Sequence, residues 1–337
     1  MIIGHGDDLY SQKNQVKYNF SSNVDRHQDY SALRNFLKDK LDAIHSYPEP
    51  AAESLMQTLA DQLCIDSKSL LVTNGATEAI YLIAQAFENA RTGVLIPTFS
   101  EYEDACAINN HHLSFYQSLD DIPTDLELMW ICNPNNPTGT IFEKEQLTKI
   151  IQEHDKTLFI IDQSYEYFSQ ADVFEAQEAQ YFHNLILLHS MTKHFSIPGL
   201  RLGYITAQEN VIAKINRFKM PWSVNQLAIE AGKYLLTQHI NRVNITTHLE
   251  ETNRFRKELE QFEEFEVFPT KTHFFLVKIK GHKASQLKSY LVEQHGILIR
   301  DAANFRGLDA HYFRVASQTE EENNIFIQAI KTWITTF

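Results

Sequence analysis

Four clusters of small, polar or ionisable side chains stand directly behind short apolar runs: Asn74-Gly75-Ala76-Thr77, Asn133 to Gly139, Asp162 to Tyr165 and Ser190 to Lys193. Gly75, Ala76 and Thr77 open a helical pattern, and a helix N-terminus offers free N–H groups and partial positive charge to a phosphate. Alone, that cluster is better read as an ordinary capped helix. Lys193 lies three residues after Ser190, and a lysine at a strand end is ordinarily a solvated surface group. Its neighbours suggest more. Arg201 supplies a second cation for a phosphate, and Ser190 a hydroxyl. Asp162 can pair with the protonated nitrogen of a cofactor ring, so that the ring accepts electrons from a carbanion. Tyr165 and Asn136 can hydrogen-bond a phenolic oxygen. Tyr102 is placed to stack on a ring face.

Groups like these converge only if the elements behind them are strands of one sheet. The sequence alternates short continuous apolar strands with helical patterns from residue 70 to 206. Strands are expected at 70–73, 93–96, 128–132, 157–161, 185–189 and 202–206, with helices at 78–88, 102–109 and from 144. Earlier helices are expected at 31–44 and 51–63. This grammar predicts an α/β fold with a mostly parallel sheet, buried on both faces. Ligands of such sheets bind beyond the carboxyl ends of the strands, where the four clusters fall. After residue 225 the pattern changes to long helices, then strands at 274–279, 297–300 and 312–315. We therefore expect a large domain at 31–225, and a smaller α+β domain formed by 226–337 with the irregular segment 1–30.

The chain has 337 residues and a formal net charge of −13, with no block of Lys or Arg, which argues against nucleic-acid binding. An anionic substrate would need local positive charge against that global sign. No stretch of ~18 uncharged apolar residues is present, so no membrane span is expected. The start lacks a basic and an apolar signal region, so a cytoplasmic protein is expected. Cys64, Cys106 and Cys132 lie far apart in no metal-ligand spacing and read as reduced thiols. The fifteen histidines include no convincing ligand pair, and no metal is expected.

Taken in order, Asn74 to Thr77, Asn135 to Gly139, Asp162-x-x-Tyr165, Ser190-x-x-Lys193 and Arg201 resemble the fold-type I pyridoxal-phosphate (PLP) enzymes of the class I/II aminotransferase superfamily. The resemblance covers nearly the whole chain and implies an aspartate-aminotransferase-like fold. It implies that Lys193 carries PLP and moves protons, that Asp162 meets the ring nitrogen, and that Tyr165 and Asn136 meet the phenolic oxygen. Ala76, Thr77, Ser190 and Arg201 would cup the phosphate, and Gly75 would also border the cofactor. Tyr47, in Tyr47-Pro48-Glu49-Pro50, resembles a tyrosine that reaches the neighbouring subunit's cofactor, which implies a homodimer.

Cofactor motifs do not choose the reaction, because the protein selects which bond at Cα breaks. Arg300 and Arg314 are suited to planar anions; Arg306 reads as a surface ion pair. With His5, Asn23 and the runs 98–102, 197–204 and 220–225, they resemble the threonine-phosphate decarboxylases of cobalamin synthesis, and next the histidinol-phosphate aminotransferases. By that resemblance the substrate is a phosphorylated amino acid. Arg300 would take its phosphate, Arg314 its carboxylate, Asn23 would contact it, and His5 would line the phosphate pocket. Departures fall on the substrate side: Val24 to His27 after Asn23, Asp7 after His5-Gly6, and His273 before Phe274.

Overall fold

The computed structural model describes residues 9, 16–238 and 244–337. The described N-terminal segment holds strand β1 (Tyr18–Asn19), then helices α1 (Ser31–Lys38) and α2 (Glu53–Leu63). The main sheet follows: β2 (Leu70–Thr73), β3 (Arg91–Leu95), β4 (His112–Tyr116), β5 (Leu128–Cys132), β6 (Leu158–Asp162), β7 (Leu185–His189) and β8 (Gly203–Thr206). Its spatial order is β2-β8-β7-β6-β5-β3-β4, and β8 runs antiparallel to both its neighbours. The other neighbouring pairs are parallel.

Strand side chains alternate between faces, and both faces are buried. Val94, Trp130, Ile160, Ile186 and Leu188 pack on α3 (Gly75–Ala86), α4 (Glu101–Ile108) and α7 (Glu209–Asn216). Met129, Ile131, Phe159, Ile161, Leu185 and Leu187 pack on α5 (Lys144–Glu153). Between β7 and β8 a single helical turn, α6 (Met191–His194), carries Lys193. A third core joins α2, β2 and β8 to α8 (Gln226–Thr237), whose first turn is capped by the Asn225 side chain accepting from Ala228 N–H at 2.9 Å.

A second sheet has the order β12-β13-β10-β9, built from β9 (Phe265–Val267), β10 (Phe274–Ile279), β12 (Arg300–Asp301) and β13 (Tyr312–Ala316). It packs with α9 (Ile245–Leu259), α10 (Ala284–Tyr290) and α11 (Glu320–Thr336). β11 (Ile297–Leu298) leaves that sheet and pairs in parallel with β1.

Several expectations are corrected. The strand foreseen over 297–300 is broken at Ile299, because its two ends serve different partners, β1 and β13. Segment 1–30 is not wholly irregular: Tyr18 and Asn19 form β1, and Phe20 joins the core of the C-terminal part. The helix foreseen over 31–44 stops at Lys38, and a 3-10 turn takes Leu41–His45. Strand β4 was hidden because its residues are half-polar at the sheet edge.

Candidate active site

The carboxyl ends of β5, β6 and β7 and the start of α3 surround a cavity of about 160 Å³. Ala76, Thr77, Tyr102, Asn136, Asp162, Tyr165, Ser190, Lys193 and Arg201 line it. Residues from 76 to 201 meet there because parallel strands present their carboxyl ends on one rim.

Asp162 ends β6 and is 3% exposed. Burial pushes its carboxyl above the usual range, against hydrogen bonds from Ser164 and Tyr102. The Ser164 N–H donates to Oδ1 at 2.8 Å and the Tyr102 hydroxyl to Oδ2 at 2.6 Å. Tyr102 also lies on Trp130, with ring centroids 5.0 Å apart and planes 12° apart. Its bond to Asp162 was not foreseen, since sixty residues separate the two. The Lys193 Nζ stands 5.8 Å from the centre of the Tyr165 ring.

At the other end of the cavity α3 begins at Gly75, whose φ is +79°. A Cβ there would fall 2.5 Å from Arg201 Nη2, so glycine is what lets the guanidinium lie against the helix start. Gly203 matters similarly: a Cβ on it would meet Ala76 N at 2.6 Å, so its absence seats β8 against the same turn. Ser190 Oγ and Thr192 Oγ1 share a hydrogen bond of 2.7 Å. Free helix N–H groups, a guanidinium and hydroxyls form an anion cradle.

Tyr165 is buried, which pushes its phenol up to about 12 and keeps it a donor at neutral pH. Next to it Arg314 is 4% exposed and donates to Asn136 Oδ1 and to the Ser21 carbonyl, each at 2.5 Å. Burial lowers the Arg314 guanidinium from its ordinary value. Arg300, 7% exposed, lies directly across from Arg314 in the β12–β13 pair and donates to Asp301 O and Asn304 Oδ1, each at 2.7 Å. Residues opposite in an antiparallel pair share a face, and like charges there are unfavourable. Asn23 is 2% exposed, and its side chain stands beside the Tyr165 phenol. Arg306 forms a surface ion pair with Glu103. Tyr47 stands away from the cavity at 85% exposure, and His5 lies outside the described residues.

A buried acid, a lysine, a protonated phenol and an anion cradle around one cavity suit PLP. Asp162 fits its ring nitrogen, Lys193 its aldehyde carbon, and the α3 cradle its phosphate. Fold and site thus define a PLP-dependent enzyme of the fold-type I, aspartate-aminotransferase-like class. The family model described as aminotransferase class I and II matches residues 15–330, and the chain belongs to that family. A histidinol-phosphate aminotransferase of Thermoanaerobacter sp. is 32% identical over 306 residues, 87% of this chain and 85% of that protein. The threonine-phosphate decarboxylase of Salmonella typhimurium is 30% identical, over 94% of this chain and 91% of that one. The crystal structure of L-threonine-O-3-phosphate decarboxylase from Porphyromonas gingivalis superposes with a TM-score of 0.91 at 38% identity, covering 94% and 99% of the two chains. No helix among the described residues is long and apolar enough to cross a membrane.

Proposed function

We propose that this enzyme decarboxylates L-threonine O-3-phosphate to (R)-1-aminopropan-2-yl phosphate, the linker for the cobalamin side chain. The observation that carries this reading is the buried pair Arg300 and Arg314, opposite one another on one face of the second sheet. Two guanidinium groups so placed favour a ligand with two anionic groups, such as a phosphate and a carboxylate. The likeness to the Porphyromonas gingivalis decarboxylase supports it.

When bound, PLP supplies an electron sink for the pair left on Cα as one of its bonds breaks. The residues around it do the rest. Asp162 would hold a proton at the ring nitrogen, and Tyr102 and Ser164 hold Asp162. Tyr165 donates to the phenolic oxygen. Arg314 takes the carboxylate and Arg300 the phosphate, which fixes the direction in which the carboxylate points. Lys193 would hold the cofactor at its aldehyde carbon and, when substrate takes that place, can give Cα the proton that replaces the departed carboxylate.

Carbon dioxide release from L-threonine O-3-phosphate, with no oxo acid added, is the expected result. Glutamate formed from histidinol phosphate and 2-oxoglutarate, without that release, would replace this reading by an aminotransferase. Purified protein is expected to absorb visible light and to be bleached by borohydride; Lys193→Ala abolishes both, and an adduct persisting at another residue would refute the assignment of Lys193.

We also propose a homodimer in which Tyr47 reaches the phosphate site of the neighbouring subunit. Tyr47 (85% exposed), Trp222 (50%), Met220 (74%) and Ile44 (65%) are large apolar side chains left open to solvent. The Tyr47 and Trp222 rings lie 5.5 Å apart, and Trp222 N–H donates to Pro50 O, so their two segments form one patch.

A further inference from the structure

Arg300 is steered by the loop that joins β12 to β13, and three successive residues of that loop do different things. Asn304 Oδ1 accepts from the Arg300 guanidinium at 2.7 Å. The Phe305 ring lies 5.2 Å from the same guanidinium and is 4% exposed, packed with Leu276 and Ala302. Arg306 instead reaches helix α4, beside the main sheet. Its Nε donates to Glu103 Oε2 at 2.8 Å and its Nη2 to Oε1 at 2.5 Å, a fork closed on a carboxylate. The Arg306 guanidinium also lies 4.1 Å from the centre of the Phe115 ring on β4. A Cβ on Gly307 would fall 3.5 Å from Ile96 Cδ1, so the loop comes up against the end of β3 as well.

Exposed ion pairs usually hold little, since two long side chains must be ordered for a screened attraction. This pair differs in geometry. Both donors on one edge of the guanidinium are engaged, the Glu103 side chain is 20% exposed, and an aromatic ring backs the cation. The loop is pinned from within too: Ala303 N–H donates to Asp301 Oδ1 and Leu308 N–H to the Phe305 carbonyl, each at 3.0 Å. A shift of Arg306 is then passed on to Asn304 and Phe305 rather than absorbed between them. Glu103 adjoins Tyr102, whose hydroxyl holds Asp162. One ion pair thus joins the loop that aims Arg300 to the helix that holds the ring-nitrogen acid.

We propose that Arg306 is a positioning residue for the phosphate end of the substrate: its pair with Glu103 ties the Arg300 loop to α4 and so holds the Arg300 guanidinium where a phosphate can meet it. This rests on reading Arg300 as the phosphate ligand. The competing role is plain docking of the second sheet on the first, which would loosen phosphorylated and unphosphorylated ligands alike.

The test uses Arg306→Gln, Glu103→Gln, the two together, and Arg300→Gln, all purified with PLP. The kcat and KM are measured with L-threonine O-3-phosphate, and L-threonine, which lacks the phosphate, is titrated against the visible spectrum. Arg306→Gln and Glu103→Gln should each raise KM about threefold, with kcat, the cofactor spectrum and the affinity for L-threonine unchanged. The double variant should be no worse than either single one, because both remove the same pair. An unchanged KM in Arg306→Gln would overturn the proposal. So would equal weakening of L-threonine and its phosphate, or loss of cofactor absorbance, which mark plain docking. Arg300→Gln separates the two readings. If it raises KM while Arg306→Gln does not, the positioning role alone falls; if it leaves KM unchanged, the phosphate reading of Arg300 falls and takes this proposal with it. Should the wild type turn over histidinol phosphate instead, the same variants are read on the KM for that phosphate ester, with histidinol as the comparison.

Discussion

Asp162 shows how one buried residue couples cofactor, pH and stability. Its carboxyl is raised by burial, so its ionised form is penalised in the fold. The sign follows by linkage. A group whose folded pKa is raised stabilises the fold below its unfolded value, and that stability is lost as pH rises through the folded value. The apoprotein should therefore lose stability as pH climbs from 3.8 upward through the raised value of Asp162. PLP should restore it, since a protonated ring nitrogen pairs with the carboxylate. Asp162→Asn is expected to flatten this part of the pH–stability curve and to weaken cofactor retention; urea titrations of apo and holo protein across pH check both. At this scale the sequence was informative about type and less so about partners. Asp162, Tyr165 and Lys193 stood out from their places behind the strands, taken together and with the family resemblance. The Tyr102–Asp162 bond did not, because it joins the ends of α4 and β6 across the sheet.

At the scale of elements, the start of α3 shows how backbone shape makes a binding surface. Gly75 combines a φ of +79° with a guanidinium 2.5 Å from where a Cβ would sit. Gly75→Ala should cost about 1–2 kcal/mol in backbone strain. It should also push Arg201 off the helix start, so cofactor affinity should fall about tenfold or more, which titration of apoprotein with PLP would read. A drop in melting temperature with unchanged cofactor affinity would show that Arg201 adjusts without loss. The alternation of apolar strands and helices made most of the main sheet legible. It failed where residues serve two masters: 297–301 divides between β11 and β12, and Tyr18 and Asn19 pair with a strand nearly three hundred residues away.

The whole molecule carries a formal charge of −13, yet Lys193 and Arg201 line the cavity, and Arg300 and Arg314 are buried opposite one another in the second sheet. For the phosphorylated substrate proposed above, local cations rather than the global sign supply the attraction, and salt should weaken binding. The exposed patch of Tyr47, Met220 and Trp222 sets the other prediction at this scale. Trp222→Asp should convert a dimer to monomers and lower activity in proportion, checked by sedimentation at several concentrations. Tyr47→Phe should keep the dimer and reduce cofactor retention. Monomeric wild-type protein at micromolar concentration would overturn the dimer.

By itself the sequence determined the doubly covered sheet, because strand and helix periods are local properties of side-chain order, and it marked the polar clusters at the strand ends. Tertiary structure alone decided which groups touch. Arg300 and Arg314 are fourteen residues apart in the chain and become direct cross-strand partners only through the register of β12 on β13. The reason is physical: propensity acts over a few residues, whereas register, burial and the loss of a hydrogen-bond partner are settled by chain segments far away in sequence.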